Sequence, residues 1–308
     1  MNDIPIVPTS LTKSAFLKAH IALLRQAATI CGLETTDMTH PLNQRLKLSQ
    51  QLLQQDGVVR YPEDKDKLPE LSSLMIDSAV LSTISGGSIQ EISLGNFEAY
   101  SHPKVKRRLI AELGDRDKFS DVMTELSCSA WAKTRGLHSS VPTEDGKADM
   151  LIYEAQTPLL TIECKNISSI NRLETALRKA NKQIKYTSPH LPGVAIINIS
   201  QLVRPIYTRQ ISDDQPNEVV QVGALVKRFL KNQNRSLSEV LVTWDDHATL
   251  YYPPRPNKPS QIVARRCVAF FEHNEPRVPL TSKIFREYGF TIAYLLRSTP
   301  SVARDTES

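Results

Sequence analysis

The run GVAIINIS, residues 193–200, constrains the fold more than any other stretch of this 308-residue chain. Its apolar residues are continuous instead of alternating, as in a strand buried on both faces. Just upstream, residues 170–188 (INRLETALRKANKQIKYTS) set Leu173, Leu177 and Ile184 on one helical face and stop before Pro189. Earlier still the pattern has period two, in ADMLIYEA (148–155) and LLTIECKN (159–166), with Gln156, Thr157 and Pro158 turning one back into the other. Strands joined so tightly pair antiparallel. A shorter strand, GLHSSV, leads into them through the turn PTEDGK. Before it, residues 117–135 carry Phe119, Val122, Met123, Leu126 and Ala130 as a helical stripe ended by Gly136. From residue 117 the order is helix, three strands, helix, strand: an α/β chain with a mixed central sheet flanked by helices.

The flanking sequence is less regular. Residues 11–31 place Phe16, Leu17, Ile21, Leu24 and Ala28 at helical spacing, and residues 41–57 read as a second helix. YPEDKDKLPEL then reads as a charged loop and SGGS, 85–88, as a turn. PKVKRRLIAEL (103–113) is helical. Beyond residue 200, VVQVGALVKRFLKN is a helix and SEVLVTWDD and QIVARRCVAFFEH are strands. These spans divide the chain into a mostly helical accessory region, 1–100, a main domain, 101–298, and a frayed tail, 299–308.

Charge follows the same division. The first hundred residues carry 8 Lys/Arg against 11 Asp/Glu, the remainder 30 against 22. A basic excess confined to the main domain suits a polyanion partner. Cys31, Cys128, Cys164 and Cys267 are scattered, with no CxxC pair, and read as free thiols. No basic-then-apolar leader opens the sequence and no apolar run approaches the roughly 18 residues of a membrane span, so a cytoplasmic protein is expected. No GxxxxGK[ST] loop is present, and no ATPase is expected.

The paired strands carry the chemistry. Asp149 opens one, Glu163 and Lys165 close the other, and the hairpin brings two carboxylates and an ammonium to one end of the sheet. Hard carboxylate oxygens suit Mg²⁺, which neutralises a phosphodiester and lowers the pKa of a bound water, while a lysine orients or deprotonates that water and stabilises charge. Alternatively, Glu163 and Lys165 form a strand-end ion pair of little consequence.

Asp149 in GKAD with Glu163-Cys164-Lys165 in IECKN, on the second and third strands of an αβββαβ order, resembles the PD-(D/E)xK nuclease superfamily over residues 117–200. The resemblance implies a restriction-endonuclease-like fold and a Mg²⁺-dependent deoxyribonuclease, with Mn²⁺ able to substitute, Asp149 and Glu163 holding the metal and DNA as the partner. It also implies a setting in defence against foreign DNA or in a mobile element. Ala148 stands where the family name has proline. The preceding helix often supplies another acid, for which Glu125 is the candidate; the alternative is a solvated glutamate. Gln183 matches the glutamine of a Gln and Tyr motif in the recombination-exonuclease branch, or is a helix-surface residue. Tyr186 follows it one residue too early for that motif.

Arg178, Lys182 and Lys185 share one face of their helix and are expected to track a phosphate backbone, or form a solvated basic face. KVKRR (104–108) and ARR (264–266) are weaker cases. His138 reads as structural and TWDDH (243–247) as an acidic turn ending its strand. The competing expectation is a non-catalytic nucleic-acid-binding or assembly module that keeps the fold. A homodimer, or a protein partner held through the N-terminal helices, is also expected.

Overall fold

The computed structural model describes residues 13–34, 36–54, 60–61, 73–74, 76–77, 80–81, 98–203, 216–232, 236–250, 260–272 and 290–298. The expected loop from residue 62, the turn at 85–88, and the tail at 299–308 lie outside these. In chain order the elements are α1 (Lys13–Ile30), α2 (Pro41–Gln54), β1 (Arg60–Tyr61), α3 (Pro103–Gly114), α4 (Phe119–Thr134), β2 (His138–Ser140), β3 (Met150–Glu154), β4 (Thr157–Asn166), α5 (Leu173–Thr187), β5 (Gly193–Asn198), α6 (Asn217–Asn232), β6 (Leu237–Leu250), β7 (Ser260–Glu272) and β8 (Phe290–Ser298).

Among the described residues the strands form one eight-stranded mixed sheet, ordered β1-β8-β7-β6-β5-β4-β3-β2. β2, β3 and β4 are antiparallel neighbours; β4, β5 and β6 run parallel, each step crossing over through a helix. β5 is buried at every position, as a central strand covered on both faces must be. Side-chain alternation along β4 and β5 then feeds two cores. Ala195 and Ile197 pack with Leu173, Leu177, Ile184, Val222 and Val226 of α5 and α6; Ile162, Cys164, Val194 and Ile196 pack with Cys128, Trp131 and Ala132 of α4. Gly193 permits the tight approach of α5 to β5: a Cβ there would collide with the Ile184 side chain and the Ser236 carbonyl oxygen.

The N-terminal helices share a third core with α3 and α4. Leu23, Leu24, Leu42, Leu52, Leu74 and Val80 pack with Leu109, Phe119, Val122 and Leu126 in a single cluster. His40 joins the two parts: one ring nitrogen lies 3.1 Å from the Leu113 carbonyl oxygen at the end of α3, and Nδ1 accepts from the Leu42 N–H that opens α2. The soft sequence boundary near residue 100 is thus crossed by contiguous apolar packing. No described helix is long and apolar enough to cross a membrane.

Two local expectations are corrected. The β3–β4 turn falls on Ala155 and Gln156, with Ala155 in the left-handed region at φ 53°, so Thr157 and Pro158 already belong to β4. Pro158, which cannot donate to a ladder, pairs with Tyr153 where the register shifts after Ile152. TWDDH is not a turn: β6 runs through it to Leu250, paired with β7 as far as Gln261.

Candidate active site

The antiparallel register sets Met150 opposite Ile162, which brings Asp149, one residue before β3, beside Glu163. Each carboxylate accepts from a backbone N–H of the opposite strand segment. The Asp149 N–H donates to Glu163 Oε2 at 3.0 Å, and the Cys164 N–H donates to Asp149 Oδ2 at 2.7 Å. Charge-assisted bonds of this kind hold both side chains in fixed orientations. Cys164 faces the α4 core, as alternation requires, while Glu163 and Lys165 share the other face. Lys165 Nζ bonds directly to Glu163 Oε1 and also donates to the Cys164 carbonyl at 3.2 Å. Glu163 is 0 % exposed, so this is no surface ion pair on a strand end.

Glu125 of α4 joins them. It is buried, not solvated, and Arg108 of α3 donates to both its oxygens, at 3.0 and 3.3 Å. The cluster therefore contains three carboxylates against one ammonium and one guanidinium. Burial pushes the Glu125 carboxyl up to about 8; the Asp149 charge adds to this and Arg108 opposes it. Burial likewise raises Glu163 to about 8, with Asp149 adding and Lys165 opposing. Burial also lifts Asp149, against the pull of Lys165 and of the Cys164 N–H. Burial acts to lower the Lys165 ammonium, but the charges of Asp149 and Glu163 outweigh it and hold its pKa above the usual value. Lys165 stays a cation.

The last turn of α5 fixes the approach to Asp149. Gln183 Nε2 donates to the Lys147 carbonyl at 3.0 Å, and the Ala148 N–H donates to Thr187 Oγ1 at 2.6 Å. Gln183 is thus a positioning residue for the acid-bearing loop, and its Oε1 is buried without a partner. On the other side Asn166, the end of β4, donates to Asp121 at 2.8 Å and accepts from Thr124, itself the acceptor for Asn198 at the end of β5. These polar ties between α4 and the strand ends have no sequence signature, because each joins residues far apart in the chain.

The basic segments fare unequally. Arg178, Lys182 and Lys185 are exposed, and Arg178 is engaged by Glu174 one turn earlier, at 2.6 Å. Within KVKRR, Lys104 donates to the Thr143 carbonyl and Arg107 to Pro103, both exposed, while Arg108 enters the acid cluster. In ARR, Arg266 is 5 % exposed and forks onto Asp245 at 2.7 and 2.9 Å, so it cannot track a backbone. His138 is exposed at the start of β2, and the four cysteines are free thiols.

Among the described residues no three His, Cys, Asp or Glu side chains converge as a ready-made metal cage. Mg²⁺ does not need one, since it commonly takes one or two carboxylates, keeps waters and shares phosphate oxygens. The donor set of Asp149 and Glu163 fits that habit, and an excess of buried negative charge is what a divalent cation relieves. No protein-family model, curated protein or solved structure matches this chain.

Proposed function

We propose that this protein is a metal-dependent nuclease hydrolysing DNA phosphodiester bonds, built on a restriction-endonuclease-like core. One observation carries the reading: Asp149, Glu163 and Lys165 converge at a buried strand end with more carboxylate than countercharge. Asp149 and Glu163 would hold Mg²⁺, or Mn²⁺ in its place, and the bound ion would neutralise the scissile phosphate and acidify a coordinated water. Lys165, held protonated, orients the attacking water and stabilises the charge that develops on the phosphate. Glu125 completes the acid set from α4, kept in place by Arg108. Gln183 keeps the Asp149 loop seated. Arg178, Lys182 and Lys185 would track the phosphate backbone, making binding salt-dependent. A role in defence against foreign DNA or in a mobile element follows from the superfamily resemblance alone, and the cytoplasm from the lack of a leader-like or membrane-spanning run in the sequence.

A second reading is favoured by a single contact. Lys165 already closes on Glu163, an internal countercharge that would let the site persist without metal. The protein would then be a non-catalytic DNA-binding or assembly module. Incubating the purified protein with Mg²⁺ and plasmid, linear duplex or single strands, with Lys165→Ala as control, separates the two. Cleavage lost in the control supports the nuclease. Salt-sensitive DNA retention with neither cleavage nor Mg²⁺ or Mn²⁺ binding supports the module.

A further inference from the structure

The clamp on the Asp149 loop also presents an aromatic ring. Tyr186 is 61 % exposed, with Met38 and Val220 the most exposed large apolar side chains among the described residues. A single exposed aromatic means little by itself. This one is held in place. Lys147 Nζ lies 4.3 Å from the ring centroid and donates to the Tyr186 carbonyl at 3.0 Å, so a cation backs the ring and fixes its plane. Lys147 is in turn tied to α5 through Gln183, and the next residue through Thr187, directly before Asp149. Lys182 and Lys185 lie exposed on the same stretch of helix. The ring and the Lys147 ammonium are thus linked by short contacts to the segment that leads into Asp149, with Lys182 and Lys185 exposed on the same helix.

We infer that Tyr186 is a stacking platform for an unpaired nucleobase, and that the nucleic acid this protein takes is single-stranded or has an unpaired end. That the ligand is a nucleic acid rests on the function proposed above; the ring bears on which form of it is taken. In a duplex each base face is covered by its neighbours, whereas an unpaired base offers a full face to an aromatic side chain. Lysines beside the ring hold the flanking phosphates, and the Lys147–Asp149 segment leads from the ring to the carboxylates.

The test is made in EDTA, so that turnover does not enter. Wild type, Tyr186→Phe and Tyr186→Ala are titrated against a DNA single strand carrying 2-aminopurine, and against the same strand in a blunt duplex. Wild type and Tyr186→Phe should quench the probe and prefer the single strand. Tyr186→Ala should lose the quench and about ten-fold in single-strand affinity, the size expected for one stacked base, with duplex affinity unchanged. Full single-strand affinity in Tyr186→Ala, equal losses on both DNAs, or wild type binding neither would overturn the inference. Absence of Mg²⁺-dependent cleavage by wild type, with the Tyr186-dependent preference intact, would remove the nuclease reading and leave the platform standing.

Discussion

Two buried charge clusters invite comparison. In one, Arg266 forks onto Asp245 and also reaches Ser127, while Arg45 pairs with Asp77 at 2.6 Å. Two acids meet two guanidiniums. In the other, Asp149, Glu163 and Glu125 meet Lys165 and Arg108. Burial raises the pKa of Asp77 too, but the next influence on it is Arg45, which lowers it. For Glu125 and Glu163 the next influence is another acid, Asp149, which raises them further. The first cluster is compensated: Arg266 ties α4 to β6 and β7, and Arg45 of α2 neutralises Asp77. The second is left short of positive charge, the pattern that makes it the candidate site.

Substitution should separate them most sharply in activity. Lys165→Ala, Asp149→Ala and Glu163→Ala should each lower Mg²⁺-dependent cleavage about 10²–10⁴-fold, as read by single-turnover assays, with circular dichroism unchanged. Wild-type-like cleavage by all three would end the comparison. Next in size, Arg266→Ala should cost about 3–5 kcal/mol of stability, since it strands a buried carboxylate. Urea denaturation measures this. Glu163→Gln should by contrast cost less than about 1 kcal/mol or stabilise, since it removes one of three mutually repelling acids.

A pH effect comparable to the Arg266 loss has a definite sign. The folded-state pKa values of Glu125 and Glu163, about 8, exceed the ordinary 4.5, so between these limits the folded state binds more protons than the unfolded. Their contribution is complete below pH 4.5 and is lost as pH rises through about 8, on the order of 1 kcal/mol per pH unit. Denaturation in EDTA at pH 5 and pH 8 should show the fall, and added Mg²⁺ should restore more stability at the higher pH. Smallest, neutralising Lys182 or Lys185 should reduce the salt slope of single-strand binding by about 0.7 each. Unchanged slopes would make that helix face merely solvated.

The meeting of Asp149, Glu163 and Lys165 was legible because strand alternation and a tight hairpin fix register, and register decides which side chains meet. The burial of Glu125 was not. Its position on α4 is beside the apolar stripe, and only Arg108, on a different helix and hidden in a run that reads as a basic patch, makes its burial tolerable. TWDDH misled for a related reason: two acids and a histidine resemble a solvated turn, yet Asp245 is half-buried because its partner Arg266 lies on the next strand. Long-range pairing of charges leaves no periodic trace. Neither does a left-handed alanine, which is why the β3–β4 turn shifted to Ala155.

The pairing of Arg60 with Arg297 and of Tyr61 with Ser298 also has a meaning in time. A ribosome adding roughly 5–20 residues per second needs on the order of tens of seconds to travel from one partner to the other. Glu125, Asp149, Glu163 and Lys165 leave it within about ten seconds of one another, and their contacts are comparatively local. The carboxylate corner can thus assemble on the nascent chain while β1 still waits for its strand. The far edge, by contrast, cannot close until residue 298 has been made.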